Sequence, residues 1–249
     1  MPGKTALVVS AHSADFVWRA GGAIAAHTEQ GYAVTVVCLS FGERGESAKL
    51  WRKPGMTLDT VKADRQREAE NAAKALGVED IRFFDLGDYP MQITPEAFDR
   101  LVDVYREIRP EFMLTHSRQD PYNFDHPMAT DFAQHARVIA QAHGHKPETK
   151  IIGAPPVYLF EPHQPEQCNW KPNFMLDITA VWEKKLAAIK CMEGQEHLWE
   201  YYTRVAQQRG AQASRNSDYK ITYGEAYEAV FPHVTGTLGH GALANGASA

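Results

Sequence analysis

The sequence predicts an α/β fold in which helices flank a mainly parallel β-sheet. Three observations lead to this prediction: strand and helix patterns alternate through the first half, the strand patterns are almost continuously apolar, and glycines follow the helical segments. Alternation of this kind builds right-handed β-α-β units, whose helices cover the faces of a buried sheet. A chain of 249 residues is long enough for one large domain of this class.

The first half of the chain alternates four predicted strands with three predicted helices. Runs of apolar or β-branched residues predict the strands, and Gly31 and Gly77 predict the ends of two helices. The predicted elements are, in chain order, a strand at residues 5–10, a helix at 17–30, a strand at 34–40, a helix at 58–76, a strand at 81–84, a helix at 95–108 and a strand at 112–115.

The second half is less regular and yields fewer predicted elements. Helices are predicted at residues 126–142 and 179–194, and a strand is predicted at residues 157–160. The chain contains no internal repeat and no linker, so we predict a single Rossmann-like domain over residues 1–249. Its end, residues 236–249, is rich in Gly and Ala and is predicted to be a flexible tail.

Composition and charge argue against several classes of partner. The formal net charge is −5, with no long block of like charge, so no nucleic-acid partner is expected. There is no apolar run long enough to cross a bilayer and no signal-peptide pattern, so we predict no membrane partner and a cytoplasmic location. The three cysteines lack metal-type spacing and are interpreted as reduced packing residues.

Two polar clusters are predicted to meet at the carboxyl edge of the sheet. His12 and Asp15 follow the first predicted strand, and Asp125 and His126 follow the strand at 112–115. Ligands bind at this edge in open α/β sheets, and two imidazoles with one carboxylate form a three-ligand site of the kind that holds catalytic zinc. Asp125 is expected to orient a ligating imidazole. Two plainer interpretations stay open, with Asp15 as a helix cap and His126 as a surface histidine.

The order of these motifs resembles the PIG-L/LmbE-like family of zinc-dependent deacetylases. The matching segments are Ala-His-Ser-Ala-Asp at 11–15, Gly-Gly at 21–22, Ser-Phe-Gly-Glu at 40–43, an Arg/Glu helix at 65–77, Asp-His at 125–126, and later segments at 177–187 and 224–231. The resemblance covers nearly the whole chain up to Pro232. It implies that His12, Asp15 and His126 bind a zinc ion, although such donors also suit other divalent metals.

One departure from the family pattern changes the expected reaction. The family's deacetylases carry Ala-His-Pro-Asp-Asp-Glu, whose first aspartate is the general base; here that position is Ala14, and the glutamate's position is Phe16. Loss of a general base typically costs about 10²–10⁴-fold in rate. The altered motif resembles the hydratase branch of the family. That resemblance implies a zinc-dependent hydro-lyase of gallate catabolism, which adds water to the C=C bond of a small unsaturated polycarboxylate, 4-oxalomesaconate, to give 4-carboxy-4-hydroxy-2-oxoadipate.

A hydratase needs groups that move protons, and three residues are candidates. Glu43 and Glu46 lie in the loop after the second predicted strand, at the same sheet edge as His12. His163 follows a later predicted strand, and an imidazole with a reference pKa of about 6.5 exchanges protons near neutral pH. We therefore predict that Glu46 or Glu43, together with His163, is catalytic. A solvated acidic loop is the alternative interpretation of the two glutamates.

A small-molecule substrate with several carboxylates requires a basic pocket in this acidic protein. Guanidinium groups bind carboxylates through two parallel hydrogen bonds, so Arg44, Arg65 and Arg118 are predicted to bind the substrate. Asn123, which stands where the family's deacetylases often carry a histidine, is also predicted to bind it. The weaker candidates are Arg19, Arg52 and Lys53.

Two rival functions stay open. One is a zinc-dependent N-deacetylase of an N-acetyl sugar or amine, with its base moved to Glu43 or Asp125. The other is a binding protein that has kept the metal and lost catalysis. Acetate release would identify the first, and tight binding without turnover would identify the second. The family resemblance and the aromatic residues of the second half also predict a homo-oligomer.

Overall fold

The computed structural model describes residues 4–234, and all seven strands in this range belong to one β-sheet. The strands are β1 (Thr5–Ser10), β2 (Ala33–Cys38), β3 (Asp80–Phe83), β4 (Phe112–Thr115), β5 (Val157–Phe160), β6 (Phe174–Asp177) and β7 (Gly224–Ala229). Their spatial order is β3-β2-β1-β4-β5-β7-β6. The pairs among β1 to β5 are parallel, whereas β7 is antiparallel to both of its neighbours. The sheet is therefore mainly parallel, as predicted.

Seven α-helices accompany the sheet within the described range. They are α1 (Asp15–Glu29), α2 (Ala48–Trp51), α3 (Leu58–Ala75), α4 (Pro95–Ile108), α5 (Asp125–Ala140), α6 (Trp182–Cys191) and α7 (Trp199–Ala213). Between residues 4 and 234, none of the helices combines the length and the hydrophobicity that a membrane crossing requires.

The core consists of two apolar layers, one on each face of the sheet. Successive residues of a strand point to opposite faces, and β1 shows this directly. Val8 packs in the layer formed with α1, α3 and α6, whereas Leu7 and Val9 pack in the layer formed with α4 and α5. Burial on both faces explains why the inner parallel strands are mostly apolar, whereas the partly buried edge strand β3 carries Asp80 and Arg82.

The predicted fold class is confirmed, and several predicted elements coincide with observed ones. The predictions at residues 95–108, 112–115 and 157–160 match α4, β4 and β5. Helix α1 begins at Asp15 and helix α5 at Asp125, each slightly before its predicted start. Both helices therefore begin at a residue of the two polar clusters.

The second half contains β6, α7 and β7, which the sequence patterns did not predict. Strand β7 reads Gly-Glu-Ala-Tyr-Glu-Ala and lacks β-branched residues, so its intrinsic strand propensity is low and its pairing with two neighbours maintains it. Helix α6 is shorter than the predicted helix at 179–194, because 3-10 turns at Thr179–Val181 and Glu193–Leu198 flank it. The tail predicted at residues 236–249 lies outside the described residues.

The carboxyl ends of β1, β2, β4 and β5 lie at one edge of the sheet. His12 follows β1, Glu46 lies in the loop after β2, His116 directly follows β4, and His163 lies shortly after β5. Parallel strands end at the same edge, so polar residues distant in the sequence are brought together there.

Candidate metal centre

The turn between β1 and α1 brings His12 and Asp15 together. Ala14 occupies the N-cap position of α1, and its own side chain makes no capping hydrogen bond. Asp15 is the first helical residue, and its Oδ2 atom accepts a hydrogen bond from the backbone N–H of His12 at 2.9 Å. Asp15 is thus not the N-cap of the helix, and its buried carboxylate faces a cluster of histidines.

Four residues each place a potential ligand atom within 4.8 Å of the others: His12, Asp15, Glu46 and His126. His12 Nδ1 lies 3.2 Å from Asp15 Oδ2 and 3.3 Å from Glu46 Oε1. His126 Nε2 lies 3.6 Å from Asp15 Oδ1. The fold thus brings together the three predicted ligands and adds one of the glutamates that we predicted to move protons.

Two further aspartates orient the imidazole rings. Asp125 Oδ2 lies 3.2 Å from His12 Nε2, and Asp120 Oδ2 lies 2.8 Å from His126 Nδ1. In each ring the other nitrogen is left facing the cluster. Carboxylates commonly hold metal-binding histidines in this way. Asp120 was not among the predicted residues, and no spacing pattern in the sequence marks it.

His116 completes the cluster and was also missed by the sequence analysis. Its Nε2 atom accepts a hydrogen bond from the backbone N–H of Ala11 at 2.9 Å and lies 3.4 Å from Asp15 Oδ2. Its ring stacks on that of His126, with ring centroids 4.2 Å apart. His116 therefore supports the position of His126. Its place directly after a predicted strand, as with His12, is the signal that could have identified it.

The buried charges of this cluster favour the presence of a cation. Burial opposes the charged form of His12, but the surrounding carboxylates, Glu46 first, outweigh it and raise the pKa of this imidazole well above its usual value. Burial also opposes ionisation of Asp15, but His126 and the other two histidines lower the pKa of its carboxyl well below its usual value. The carboxylate is therefore ionised at neutral pH and attracts positive charge.

The donor atoms fit a divalent metal ion. His12 Nδ1, His126 Nε2 and Glu46 Oε2 are buried and have no hydrogen-bond partner within residues 4–234. A metal ion bound at this point would satisfy the two imidazole nitrogens. Imidazole nitrogens and carboxylate oxygens together form the donor sets of many zinc, manganese and iron sites. The cluster is thus a candidate metal centre.

A cavity of about 260 Å³ opens onto this centre. Arg19 lines it with a guanidinium that is almost fully buried, and its Nε atom lies 3.4 Å from Asp15 Oδ1. His163 and Asn123 line the same cavity, as does Glu46. The structure therefore brings three of the predicted catalytic or substrate-binding residues to one space, together with one weaker candidate, Arg19.

The His163 imidazole is held at the wall of this cavity. Its ring stacks on that of Tyr201 at a centroid distance of 4.2 Å, and the Tyr201 hydroxyl donates to the His163 carbonyl at 2.7 Å. Burial, together with the nearby positive charge of Arg19, lowers the pKa of the imidazole. In the absence of a bound anion, His163 is therefore neutral near pH 7.

Glu43 and Arg44 do not line the cavity, contrary to expectation. Glu43 is fully buried below the loop, where its carboxylate accepts a hydrogen bond from the backbone N–H of Phe41 at 3.2 Å. Arg44 points to another loop and donates to the carbonyl of Asp88 at 3.0 Å. The glycine-rich loop turns these neighbours of Glu46 away from the metal centre, which residue spacing alone did not reveal.

Arg65 and Arg118 also lie outside the cavity. Arg65 is fully buried, forms an ion pair with Glu68 at 2.7 Å and donates to Gln195 Oε1 at 2.9 Å. Its guanidinium is occupied by protein acceptors, and its contact with the cavity is indirect, through Gln195. Arg118 lies exposed on the loop after β4. Neither arginine is placed to hold a substrate in this cavity.

Relatives of known description share both the sequence and the fold. The PIG-L family model, described as GlcNAc-PI de-N-acetylase, matches residues 7–137. The chain is 66% identical over 241 residues to 4-oxalmesaconate hydratase from Pseudomonas putida, which covers 95% of this chain and 93% of that protein. It is 28% identical over 213 residues to diacetylchitobiose deacetylase from Thermococcus kodakarensis, covering 81% and 76% of the two chains.

Solved structures agree with these matches. The crystal structure of GalB from Pseudomonas putida, described as 4-carboxy-2-hydroxymuconate hydratase, has a TM-score of 0.93 and 65% identity, covering 95% of this chain and 100% of that chain. The N,N'-diacetylchitobiose deacetylase from Pyrococcus horikoshii has a TM-score of 0.76 at 23% identity, covering 91% and 84%, and so shares the fold. The chain therefore belongs to the PIG-L family, as the order of its motifs predicted.

Proposed function

We propose that the protein is a metal-dependent hydratase that adds water across the C=C bond of 4-oxalomesaconate. The observation that carries this proposal is the 66% identity, over 95% of the chain, to a protein described as 4-oxalmesaconate hydratase. The name given to the solved relative, 4-carboxy-2-hydroxymuconate hydratase, refers to the enol form of the same carbon skeleton. The product is 4-carboxy-4-hydroxy-2-oxoadipate.

The residue at position 14 supports a hydratase over a deacetylase. Ala14 is fully buried in the apolar core, so no carboxylate stands where the family's deacetylases carry their base. Asp125 and Glu43 are the two positions to which the base could have moved, and neither provides a carboxylate that is free to act as a base. Asp125 already accepts two backbone N–H bonds, at 3.1 and 3.2 Å, besides its contact with His12. Glu43 lies outside the cavity. The geometry therefore argues against Asp125 and Glu43 as the base of a deacetylase.

We assign metal binding to His12, Asp15 and His126, with Glu46 beside them. When bound, a divalent ion would act as a Lewis acid that polarises a substrate oxygen or the attacking water. Two imidazoles and a carboxylate favour zinc, while manganese and iron accept the same donors. Metal analysis of protein purified without added metal would identify the ion.

Hydration requires two proton transfers, and two side chains in the cavity can perform them. The water oxygen bonds to the carbon β to a carboxylate, the electron pair of the C=C bond moves to the α carbon, and a proton is added there. Glu46 takes the proton from the water. Although burial opposes its ionisation, the neighbouring His12 outweighs burial and lowers its pKa, so the glutamate is ionised and able to accept.

His163 supplies the proton that is added to the α carbon. It lies in the same cavity as Glu46, and the negative charges of a bound polycarboxylate favour the protonated imidazole. Binding of the substrate would thus charge His163 at the moment when a proton donor is needed. Glu46 and His163 would then act as the base and the acid of one reaction.

Arg19 and Asn123 are the proposed anchors of the substrate. The Nε atom of Arg19 is buried and has no hydrogen-bond partner in the described part of the chain. A carboxylate in the cavity would supply one, and hydrogen bonds between guanidinium and carboxylate are among the strong ones. Asn123 uses its Oδ1 atom to accept the backbone N–H of Asp125 at 3.0 Å, so its amide NH₂ is directed to other partners.

We also propose that the protein forms a homo-oligomer. Tyr122 and Phe124, in the loop beside the cavity, are 63% and 76% exposed. Large exposed aromatic side chains are typical of subunit contacts. Light scattering on the purified protein measures the assembly, and a monomer at all concentrations would reject this part of the proposal.

The test of the hydratase is an absorbance assay with 4-oxalomesaconate, run on metal-loaded protein and on chelator-stripped protein. Metal-dependent loss of the conjugated chromophore, with a product heavier by one water, is the expected result. An unchanged spectrum together with acetate release from an N-acetylated sugar would reject the proposal. Asp15→Ala should abolish metal retention and activity together, and full activity in a metal-free Asp15→Ala protein would reject the metal's role.

A further inference from the structure

Helix α1 is held through its backbone by three buried side chains from the second half of the chain: Lys185, Glu225 and Tyr227. The carboxylate of Glu225 accepts the N–H groups of Gly22 and Ala23, both at 2.7 Å. These two donors lie in the middle of α1, where N–H groups ordinarily bond only within the helix. We call the three side chains the α1 clamp.

The clamp also lies against the backbone carbonyl groups of Trp18 and Arg19, which in a regular helix accept from Gly22 and Ala23. Lys185 Nζ donates to the carbonyl of Trp18 at 3.1 Å, and the Tyr227 hydroxyl lies 3.4 Å from the carbonyl of Arg19. Both side chains also donate to Glu225, each at 2.6 Å. Three of the four groups of two adjacent helical bonds therefore have side-chain partners, and the Tyr227 hydroxyl, which donates its one hydrogen to Glu225, lies next to the fourth.

Gly21 and Gly22 allow the clamp side chains to contact the backbone of α1. A Cβ atom at Gly22 would lie 2.6 Å from Ile178 Cγ2 and 2.9 Å from Glu225 Cδ, and one at Gly21 would lie 3.3 Å from Lys185 Cγ. A side chain at position 22 would thus push the clamp away from the helix. The glycine pair seen in the sequence accordingly permits contact between the clamp and the backbone.

The clamp acts on the part of α1 that faces the metal centre. The turn before it carries Asp15, which lies among the candidate ligands, and Arg19, which lines the cavity. The clamp residues are buried, with Glu225 only 5% exposed, so water does not compete for these bonds. The clamp thus anchors the backbone of α1 one turn after Asp15, at residues 18, 22 and 23.

We propose that Glu225 is a positioning residue for the metal centre. Through the α1 clamp it fixes the first turn of α1, and with that turn it fixes Asp15 against the histidines and Arg19 against the cavity. Glu225 touches neither the cluster nor the proposed substrate, and its effect passes through the helix backbone. The prediction for metal binding is independent of the reaction, and only the prediction for KM rests on the proposed hydratase.

The test is Glu225→Gln, which keeps the shape but replaces one acceptor oxygen with an NH₂ group. An NH₂ group cannot accept the N–H of Gly22 or Ala23, so one of these bonds is lost. We expect Zn²⁺ to bind the chelator-treated variant about 10–100-fold more weakly, the range found when groups that orient metal ligands are removed. Competition with a chromophoric chelator measures this. KM for 4-oxalomesaconate should also rise more than kcat falls, because Arg19 is displaced.

Two further variants complete the test. Arg106→Met is the control, since Arg106 is also buried and bonds backbone carbonyls such as that of Ala140 at the far end of α5. It should lower the unfolding midpoint and leave Zn²⁺ affinity unchanged. Tyr227→Phe removes only a hydroxyl and should weaken Zn²⁺ binding less than Glu225→Gln does. It keeps the test valid if the Gln variant fails to fold.

The outcomes separate this inference from the proposed function. If the Glu225 and Tyr227 variants lose stability as Arg106→Met does but bind Zn²⁺ like the wild type, the inference is overturned and the clamp is purely structural. If Zn²⁺ affinity falls while the wild type itself fails to hydrate 4-oxalomesaconate, the positioning role stands and the hydratase is rejected.

Discussion

The carboxylate of Asp125 lies 3.2 Å from Nε2 of His12, although 113 residues separate the two in the sequence. The neighbouring His126 is instead held by Asp120. The two adjacent residues at the start of α5 therefore have different roles. Asp125 orients the imidazole ring of His12, which follows β1, and His126 directs its free ring nitrogen toward the same cluster. The contact between His12 and Asp125 thus connects the carboxyl end of β1 to the first turn of α5.

Asp125→Asn should weaken Zn²⁺ binding by about 10–100-fold, because the charge that fixes the His12 ring is lost while the side-chain shape is kept. Titration of chelator-treated protein with Zn²⁺ measures the change. Asp103→Asn serves as the matched control, since Asp103 is an exposed residue of α4 paired with Lys146. Equal affinities in the two variants would show that Asp125 does not support the metal centre.

Glu46→Gln and Glu43→Gln should differ sharply, although the two positions are three residues apart. Glu46 lines the cavity, so its amide variant should lose about 10²–10⁴-fold in kcat, as expected for a lost general base. Glu43 is buried away from the cavity, and burial raises the pKa of its carboxyl, so a neutral amide should be tolerated there. Steady-state kinetics on variants with matched metal content measure the two kcat values. A similar loss of kcat in both variants would show that Glu46 is not the general base.

Arg19→Met should raise KM for the polycarboxylate by about 10–100-fold, which corresponds to one charged hydrogen bond of about 1.5–3 kcal/mol. The reason is that Arg19 provides the buried guanidinium at the cavity wall. Arg118→Met, which removes an exposed charge from the neighbouring loop, is the control and should leave KM unchanged. If KM rises in the control and not in Arg19→Met, the anchor has been assigned to the wrong arginine.

The residues predicted at the centre of the site lie together in the fold, whereas several of those predicted around it do not. His12 and Asp15 follow a strand whose apolar pattern is unmistakable, and the end of a parallel strand is a fixed point of the fold. The predicted family was confirmed by the match over residues 7–137 and by a relative 66% identical. The ends of the predicted strands and the family motifs together therefore indicated His12, Asp15 and His126 as candidate metal ligands.

Charged residues in loops and on helices could not be placed in the same way. Arg65 fits a substrate anchor by charge, yet its partner Glu68 occupies it in the folded chain. Glu43 and Glu46 have the same side chain and share a loop, and only the path of that loop separates them. Whether a charged group is already paired depends on tertiary contacts that periodicity does not encode. Strand β7 was missed for a related reason, since its neighbours rather than its own composition maintain it.

Stability should fall in mildly acidic solution partly because of His27, which lies on α1 away from the metal centre. Its Nδ1 atom contacts the carbonyl of Ala23 at 2.7 Å, its ring packs against Tyr32 and Phe112, and burial lowers its pKa below 6.5. The unfolded chain therefore binds a proton before the folded chain does. The contribution of neutral His27 is fully present above pH 6.5 and declines as pH falls toward the lower folded pKa.

His27→Gln removes this titration, so its free energy of unfolding should change less over the same window. Urea denaturation of both proteins at about pH 7.5 and about pH 5.5 measures the two differences. All other titratable groups are the same in the two proteins, so comparison of the two differences isolates His27. An equal loss of stability in wild type and variant would mean that the His27 imidazole has the same pKa in the folded and unfolded chains, contrary to its burial between two aromatic rings.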